Sequence, residues 1–143
     1  MRYFSAALAI ITLALASLPG RADDQDVIDY RTHVMKTLGE QMGAVGMILD
    51  SKAPADNLSL HLKTLAVTAT QAKKAFEPKV PGGNAKPEVW ANWPDFSTRL
   101  NELATATADL ASGGPKETVA AVGAKLKAVK CKSCHDTYRI PPK

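Results

Sequence analysis

Three residues near the C-terminus carry side chains that could bond to a metal ion or to a reactive carbon. Cys131 and Cys134 lie three positions apart, and His135 follows at once. Residues three and four apart share one face of a helix, so a helix would present both thiols and the imidazole on the same side. Thiolates are nucleophiles, and imidazole is a common metal ligand. The cluster therefore predicts covalent attachment or metal binding within one helical turn.

The spacing C-x-x-C-H is typical of covalent haem attachment, in which both thiols form thioethers and the histidine binds the iron. A redox pair and a zinc site fit the sequence less well. A thioredoxin-like redox pair lies near a βαβ unit, and no strand pattern is present in the sequence. A zinc site needs four ligands, whereas His33 and His61 are the remaining histidines and no further cysteine exists. A chance match on a surface helix remains the alternative without chemistry. The motif favours one covalently bound haem c and its iron.

Periodic apolar residues predict the elements that would position this motif. From Asp24 onward they recur at alternating steps of three and four, which indicates helices packed side by side. Four such stripes cover residues 35–49, 58–76, 96–110 and 119–129. We therefore predict an all-α fold over residues 23–143, an antiparallel four-helix bundle with the motif on the last helix.

Residues that start or stop helices separate the four stripes. Asp23 can cap the first helix, Pro54 precedes the second, and Asn92 with Pro94 opens the third. Two glycines and a proline at 113–115 divide the third helix from the fourth.

The connection at 77–91 contains three prolines and two glycines, too many helix breakers for a continuous helix. We expect an irregular segment that covers the open edge of the bundle. Its Trp90, and Trp93 just beyond it, are assigned to packing.

The first 22 residues have the pattern of a secretory signal peptide. A short basic start precedes an apolar run from Ala6 to Leu18, and small residues follow at the expected cleavage site. The run is shorter than the roughly 20 residues that span a bilayer, so we expect cleavage and no stable membrane insertion afterwards. The predicted location is the periplasm.

Charge argues against nucleic acid as a partner. Cleavage takes Arg2 and Arg21 from the 18 basic residues and leaves all 14 acidic ones, a net charge of about +2. The two propionates of a haem would nearly cancel it. A nucleic-acid-binding domain carries a stronger basic patch.

The sequence resembles the class II cytochromes c, the family of cytochrome c-prime and the low-spin cytochrome c-556. That family forms four-helix bundles with C-x-x-C-H near the C-terminus, extended by two residues, an aromatic and a basic residue. Tyr138 and Arg139 occupy those two places here, and Tyr30-Arg31 and residues 86–90 also match. The resemblance covers essentially the whole mature chain.

The resemblance implies that the residue four after Arg31, which is Met35, faces the iron opposite His135. Met42 shares its stripe but lies about 10 Å further along the helix, beyond the point that the end of an antiparallel last helix would face. Ligation by Met35 gives a six-coordinate His/Met haem, which suits electron transfer. Packing of Met35 over the iron without a bond is the alternative, as in five-coordinate family members that bind NO or CO.

Two arginines complete the predicted site. Arg31 is a candidate partner for a haem propionate, because a guanidinium matches a carboxylate in a bidentate hydrogen bond. Arg139, four residues after His135, can tune the proximal imidazole electrostatically.

The predicted function is one-electron transfer in the periplasm, without enzymatic change to a substrate. The partners would be redox proteins of unknown identity, and the resemblance makes a homodimer through the first two helices an open option. The alternatives are a gas-binding protein of the cytochrome c-prime kind and a structural bundle without haem.

Overall fold

The computed structural model describes residues 23–113, 118–129 and 131–141. The predicted signal peptide lies outside these residues, as do residues 114–117, which include two of the three residues of the predicted break at 113–115. The helices in chain order are α1 (Asp24–Leu49), α2 (Leu58–Phe76), α3 (Glu88–Ala91), α4 (Trp93–Gly113), α5 (Val119–Ala128) and α6 (Cys131–Tyr138). A 3₁₀ turn, Ala55–Asn57, precedes α2.

The first helix begins where the sequence predicts. The Asp23 side chain accepts a hydrogen bond from the Asp26 amide at 2.8 Å, and the Asp26 carboxylate accepts one from the Asp23 amide at 3.2 Å. This reciprocal capping box satisfies two backbone donors at the start of α1. Pro54 occupies the position before the 3₁₀ turn. It therefore lies about one turn before the start of α2 at Leu58.

Helices α1, α2 and α4 form the tightly packed part of the bundle, and α2 makes the most extensive contacts. The end of α2 meets the start of α4, where the Phe76 and Phe96 rings are 5.1 Å apart. The start of α2 meets the end of α4, where the Ser59 hydroxyl donates to the Ala111 carbonyl at 3.5 Å. These two contacts make α2 and α4 antiparallel and confirm the predicted arrangement.

The apolar stripe predicted over residues 58–76 is confirmed. Its residues, which recur at steps of three and four, are all buried: Leu58, Leu62, Leu65, Ala69, Ala72 and Phe76. In α1 the buried face is shifted from the predicted stripe: Leu38 and Val45 are buried as predicted, but Val34 and Ile48 are buried in place of Met35 and Leu49. Met35 is half-buried beside them. A helical stripe spans about 100° or more, so its edge residues are not assigned to the core by periodicity alone.

The fourth helix is not continuous, contrary to the prediction. Helix α5 ends at Ala128, and Val129 adopts extended backbone angles, φ −76° and ψ 97°. Extended angles at one residue interrupt the hydrogen-bond ladder of a helix. The motif therefore occupies a separate eight-residue helix, α6.

The segment after α2 is irregular, as predicted, but ends in the short helix α3, which the prediction missed. Trp90 packs against the core and its indole donates to the Phe76 carbonyl at 2.9 Å. Trp93 also packs there, 5.7 Å from the Phe96 ring. Both tryptophans thus pack against the bundle.

Across residues 23–113, 118–129 and 131–141 the backbone forms isolated β-bridges but no strand. No helix in those ranges combines the length and apolar character needed to cross a bilayer.

Two leucines of α2 offer a test of this packing. Leu65 is fully buried and Leu60 is 59% exposed. We expect Leu65→Ala to lower the free energy of unfolding by about 2–5 kcal/mol, because it leaves a cavity in the core. Leu60→Ala should change it by less than about 0.5 kcal/mol. Denaturant unfolding of both variants measures the difference, and equal losses would contradict the described packing of α2.

Candidate functional site

Helix α6 brings the three motif residues to the wall of an open cleft of about 840 Å³. Cys131 is exposed, while Cys134 and His135 are half-buried, and both cysteines are free thiols. Helices α1, α4 and α5 supply the other walls. Two nucleophilic sulfurs and one imidazole thus line a single cavity, as the spacing predicts.

Most of the wall opposite the motif is apolar. Four half-buried apolar residues from within the predicted helical stripes line this cleft: Met35, Met42, Leu103 and Val129. Apolar side chains gain stability when another apolar group covers them. The cleft therefore suits a large, mostly apolar ligand.

A second cleft of about 310 Å³ adjoins the first. Met35, from α1, and His135, from α6, line both clefts. Met42 lines the larger cleft and is not among the residues of the smaller one. The described part of the chain thus places Met35 at the junction of the two cavities, where Met42 does not reach.

Gly39, one turn after Met35, lines both clefts as well. A Cβ atom added there would meet no atom within 4 Å. Glycine inside a helix costs about 0.5–1 kcal/mol relative to alanine. At this position it keeps the cleft open up to the backbone of α1, which leaves room for a flat group.

A polar cluster on α4 holds α6 in place. The Tyr138 hydroxyl donates to the Asp95 carboxylate at 2.5 Å, and Arg99 forms an ion pair with the same carboxylate at 2.7 Å. Arg99 also donates to the Ser133 hydroxyl at 3.3 Å. Ser133 lies between the two cysteines, so this cluster fixes the turn that carries them.

Neither Asp95 nor Arg99 is predicted from the sequence. Their spacing, four apart on a helix, is that of an ordinary surface ion pair. Nothing in the sequence connects them to Tyr138, because that contact depends on how α6 packs against α4.

Burial controls the ionisation of the motif residues. Burial raises the pKa of both thiols, and at Cys134 the positive charge of Arg99 opposes that rise. Burial also lowers the pKa of His135, and the nearby charge of Arg139 lowers it further. His135 is therefore a neutral imidazole at pH 7, which is the form that binds a metal.

The structure places the two predicted arginines differently. Arg139 is exposed at the end of α6 and lines the smaller cleft near His135. Arg31 also lines that cleft, but it is 2% exposed and its guanidinium binds the carbonyls of Val80 and Gly82. The contact of Arg31 with a propionate stays a prediction.

The other two histidines lie away from the motif. His33 is exposed, and the His61 ring is hydrogen-bonded to Gln41 at 2.7 Å. Within the described ranges, no group of three His, Cys, Asp or Glu side chains could hold a metal ion.

Residues 26–139 match the family model described as Cytochrome C'. The chain belongs to this family. Among its relatives, cytochrome c-556 of Agrobacterium fabrum is 31% identical over 119 residues, which cover 79% of this chain and 80% of that protein. Cytochrome c' of Rhodospirillum rubrum is 28% identical over 138 residues, covering 92% and 93%.

Solved structures of the cytochrome c' family share the fold. A nitric oxide complex of a cytochrome c prime variant from Alcaligenes xylosoxidans has a TM-score of 0.75 at 23% identity, covering 85% of this chain and all of that one. At this identity the likeness shows the four-helix bundle alone.

This cytochrome c' family member is therefore a c-type cytochrome, with covalently attached haem c as its cofactor. Its residues fit that group on structural grounds. The cleft offers two thiols for thioethers, a neutral imidazole for iron, apolar walls and an open face at Gly39.

The Asp95 cluster predicts a defined pH dependence. The hydrogen bond from Tyr138, followed by that from Arg99, holds the pKa of Asp95 below its ordinary value of 3.8. A carboxylate with a lowered folded-state pKa contributes stability above the unfolded-state pKa, and this contribution is lost as the pH falls through the folded-state value. Asp95→Asn should therefore be less stable than wild type at about pH 6, and the gap should narrow progressively as the pH falls below about 4, toward the lowered folded-state pKa of Asp95.

Thermal unfolding at both pH values measures this gap. Tyr138→Phe serves as the control, because it keeps the ring but removes the hydroxyl that contributes most to the shift. Its own loss of stability should also shrink in acid. A gap between wild type and Asp95→Asn that persists unchanged at low pH would show that the charge of Asp95 has no role.

Proposed function

We propose that this protein is a periplasmic electron carrier in which His135 and Met35 bind the haem iron from opposite sides. One observation carries the proposal: Met35 on α1 and His135 on α6 line both adjoining clefts. In this assignment Cys131 and Cys134 form the thioethers. The haem supplies an iron that takes up and releases one electron.

The residues of α6 anchor and orient the group. Two thioethers, one at Cys131 and one at Cys134, would fix both the position and the rotation of the haem. His135 follows Cys134 directly, so its imidazole would lie close to the iron. The lowered pKa of His135 keeps its imidazole free of a competing proton at neutral pH. In the periplasm, covalent attachment prevents loss of a cofactor that is not readily replaced.

Methionine at position 35 favours electron transfer. A thioether sulfur is a soft, neutral ligand, and His/Met ligation raises the reduction potential of a haem. With both His135 and Met35 bound, the iron would have no free position for a small molecule. The relatives named cytochrome c-556, which is the low-spin branch that the sequence resembles, agree with this assignment.

The open cleft also suits exchange of electrons with a partner. Cys131 at its rim is exposed, so one edge of the site lies at the surface. We propose redox proteins as the partners and no nucleic acid, since the mature charge is close to neutral once haem is bound. Exposed Met47 on α1 and Leu60 and Val67 on α2 are available to a homodimer through these two helices.

Gas binding is the second candidate function. The structural relatives include cytochrome c prime complexes with nitric oxide and with carbon monoxide. Met35 is packed against the core as a half-buried side chain, and a methionine held there without an iron bond would leave the distal face to NO or CO.

The absorption spectrum of the ferrous protein separates the two functions. We expect low-spin bands that carbon monoxide does not change in the wild type. Met35→Ala should convert the ferrous form to a high-spin spectrum that shifts promptly with carbon monoxide, because the sixth position is then vacant. Met42→Ala is the matched control and should remain low-spin.

A high-spin wild type that binds carbon monoxide would refute electron transfer through His/Met ligation and establish the gas-binding alternative. A low-spin Met35→Ala variant with a high-spin Met42→Ala variant would show that the ligand was assigned to the wrong methionine.

The attachment residues have a separate test. After expression with the haem-attachment machinery, the denatured wild-type chain should carry the extra mass of one haem. The double variant Cys131→Ser/Cys134→Ser should carry none, since it has no sulfur to form a thioether. Ser133→Ala, between the two cysteines, should retain the full added mass. Retention of haem mass by the double variant would disprove the assignment.

A further inference from the structure

Arg31 is a fully buried cation whose contacts the proposed ligation does not by itself explain. It is 2% exposed, and burial lowers the pKa of its guanidinium. The guanidinium carbon lies 5.5 Å from the centre of the Phe76 ring and 5.1 Å from that of the Trp90 ring. Burying a charge is costly unless hydrogen bonds and other favourable contacts compensate it.

The compensation comes from the irregular segment between α2 and α3. Arg31 donates to the Val80 carbonyl at 2.5 Å and to the Gly82 carbonyl at 2.6 Å. Gly82 has a φ of +135°, and a Cβ atom there would lie 2.7 Å from Ile28 Cδ1. We call residues 80–86 the strap. One turn of α1, from Ile28 to Arg31, thus holds the strap by the two hydrogen bonds of Arg31 and the close contact of Ile28 with Gly82.

The opposite edge of the strap is bound to the end of α6. The Lys86 amide donates to the Tyr138 carbonyl at 2.9 Å, and the Ile140 amide donates to the Asn84 carbonyl at 2.8 Å. The Lys86 ammonium also donates to the Asp136 carbonyl at 2.9 Å. The strap therefore connects the start of α1 to the end of α6.

These two ends carry the proposed iron ligands. Arg31 precedes Met35 by one helical turn, and Tyr138 follows His135 by three residues. Asn84 and Ala85 of the strap line the smaller cleft together with Met35 and His135. A displacement of the strap would change the separation of α1 and α6 at the point where both ligands meet.

We propose that Arg31 is a positioning residue that, through the strap, holds Met35 at bonding distance from the iron on His135. This inference rests on the proposed His/Met ligation. The guanidinium acts by fixing backbone carbonyls, so both its charge and its two-pronged geometry matter. Lysine keeps the charge but presents a single terminal nitrogen.

The test compares the haem-loaded wild type with Arg31→Met and Arg31→Lys. Two readouts are needed: amide hydrogen exchange at Lys86 and Ile140, expressed relative to the core amide of Leu65, and carbon monoxide binding by the ferrous protein. In Arg31→Met the relative exchange should rise about tenfold or more, because hydrogen bonds to a charged donor are lost. Carbon monoxide binding should rise about tenfold as Met35 is released. Arg31→Lys should fall between Arg31→Met and wild type.

Leu110→Ala is the matched control for general destabilisation. Leu110 is buried near the opposite end of α4 from Asp95 and α6. Its loss should change neither the relative exchange of the strap amides nor carbon monoxide binding. A rise in carbon monoxide binding as large as that of Arg31→Met would overturn the positioning role.

Gly82→Ala disturbs the contact between the strap and α1 from the side of the strap. It replaces Arg31→Met in the test if that variant does not fold. Its methyl group meets Ile28, and alanine does not favour the positive φ. With Arg31 intact, it should raise both the relative amide exchange of Lys86 and Ile140 and the binding of carbon monoxide by the ferrous protein. In a low-spin wild type, unchanged carbon monoxide binding in these variants overturns the inference but leaves the proposed function standing. A wild type that binds carbon monoxide promptly overturns the proposed function and, with it, the role of Arg31 in holding Met35 to the iron; the relative exchange then shows only whether Arg31 fixes the strap.

Discussion

The position of α6 depends on a few directional polar contacts and on the packing of one buried ring, Tyr138 against Phe96, and not on a broad apolar face. Tyr138 is the one residue buried among the eight of this helix, all of them described. Its hydroxyl binds Asp95, its carbonyl accepts from the Lys86 amide, and Arg99 reaches Ser133. Hydrogen bonds specify direction as well as distance, whereas apolar burial does not. A helix that must present three reactive groups to an open cleft needs this kind of support.

The break at Val129 makes that support possible. If α5 continued through the motif, the direction of the reactive turn would follow from the packing of Val122 and Leu126 against the bundle. The extended residue frees α6 from that constraint, so α4 and the strap set its orientation instead. The half-buried Met35, Met42, Leu103 and Val129 then line the cleft between α6 and the remaining bundle.

The sequence predicted the features that local chemistry determines. The cap of α1 at Asp23 and the buried face of α2 follow from residue type and period, and both are confirmed. The motif on a helix beside a cleft follows from the spacing of Cys131 and Cys134 with His135. Periodicity did not predict the break at Val129 or the shift of the buried face of α1 toward Val34 and Ile48. Both depend on which neighbours pack against a helix, and a single helix pattern does not contain that information.

The same limit explains why the roles of the arginines were harder to predict. Arg99 and Arg31 are ordinary helix cations by spacing, yet one contacts the motif and the other is buried between two aromatic rings. Both use backbone or hydroxyl oxygens contributed by distant segments. Helices α1, α2 and α4 pack tightly, whereas α5 and α6 make fewer contacts with the bundle. The hydrogen bonds of Arg31 and Arg99 therefore help to position this loosely packed part. That asymmetry follows from function, because a fourth helix packed as tightly as the others would close the cleft that the haem requires.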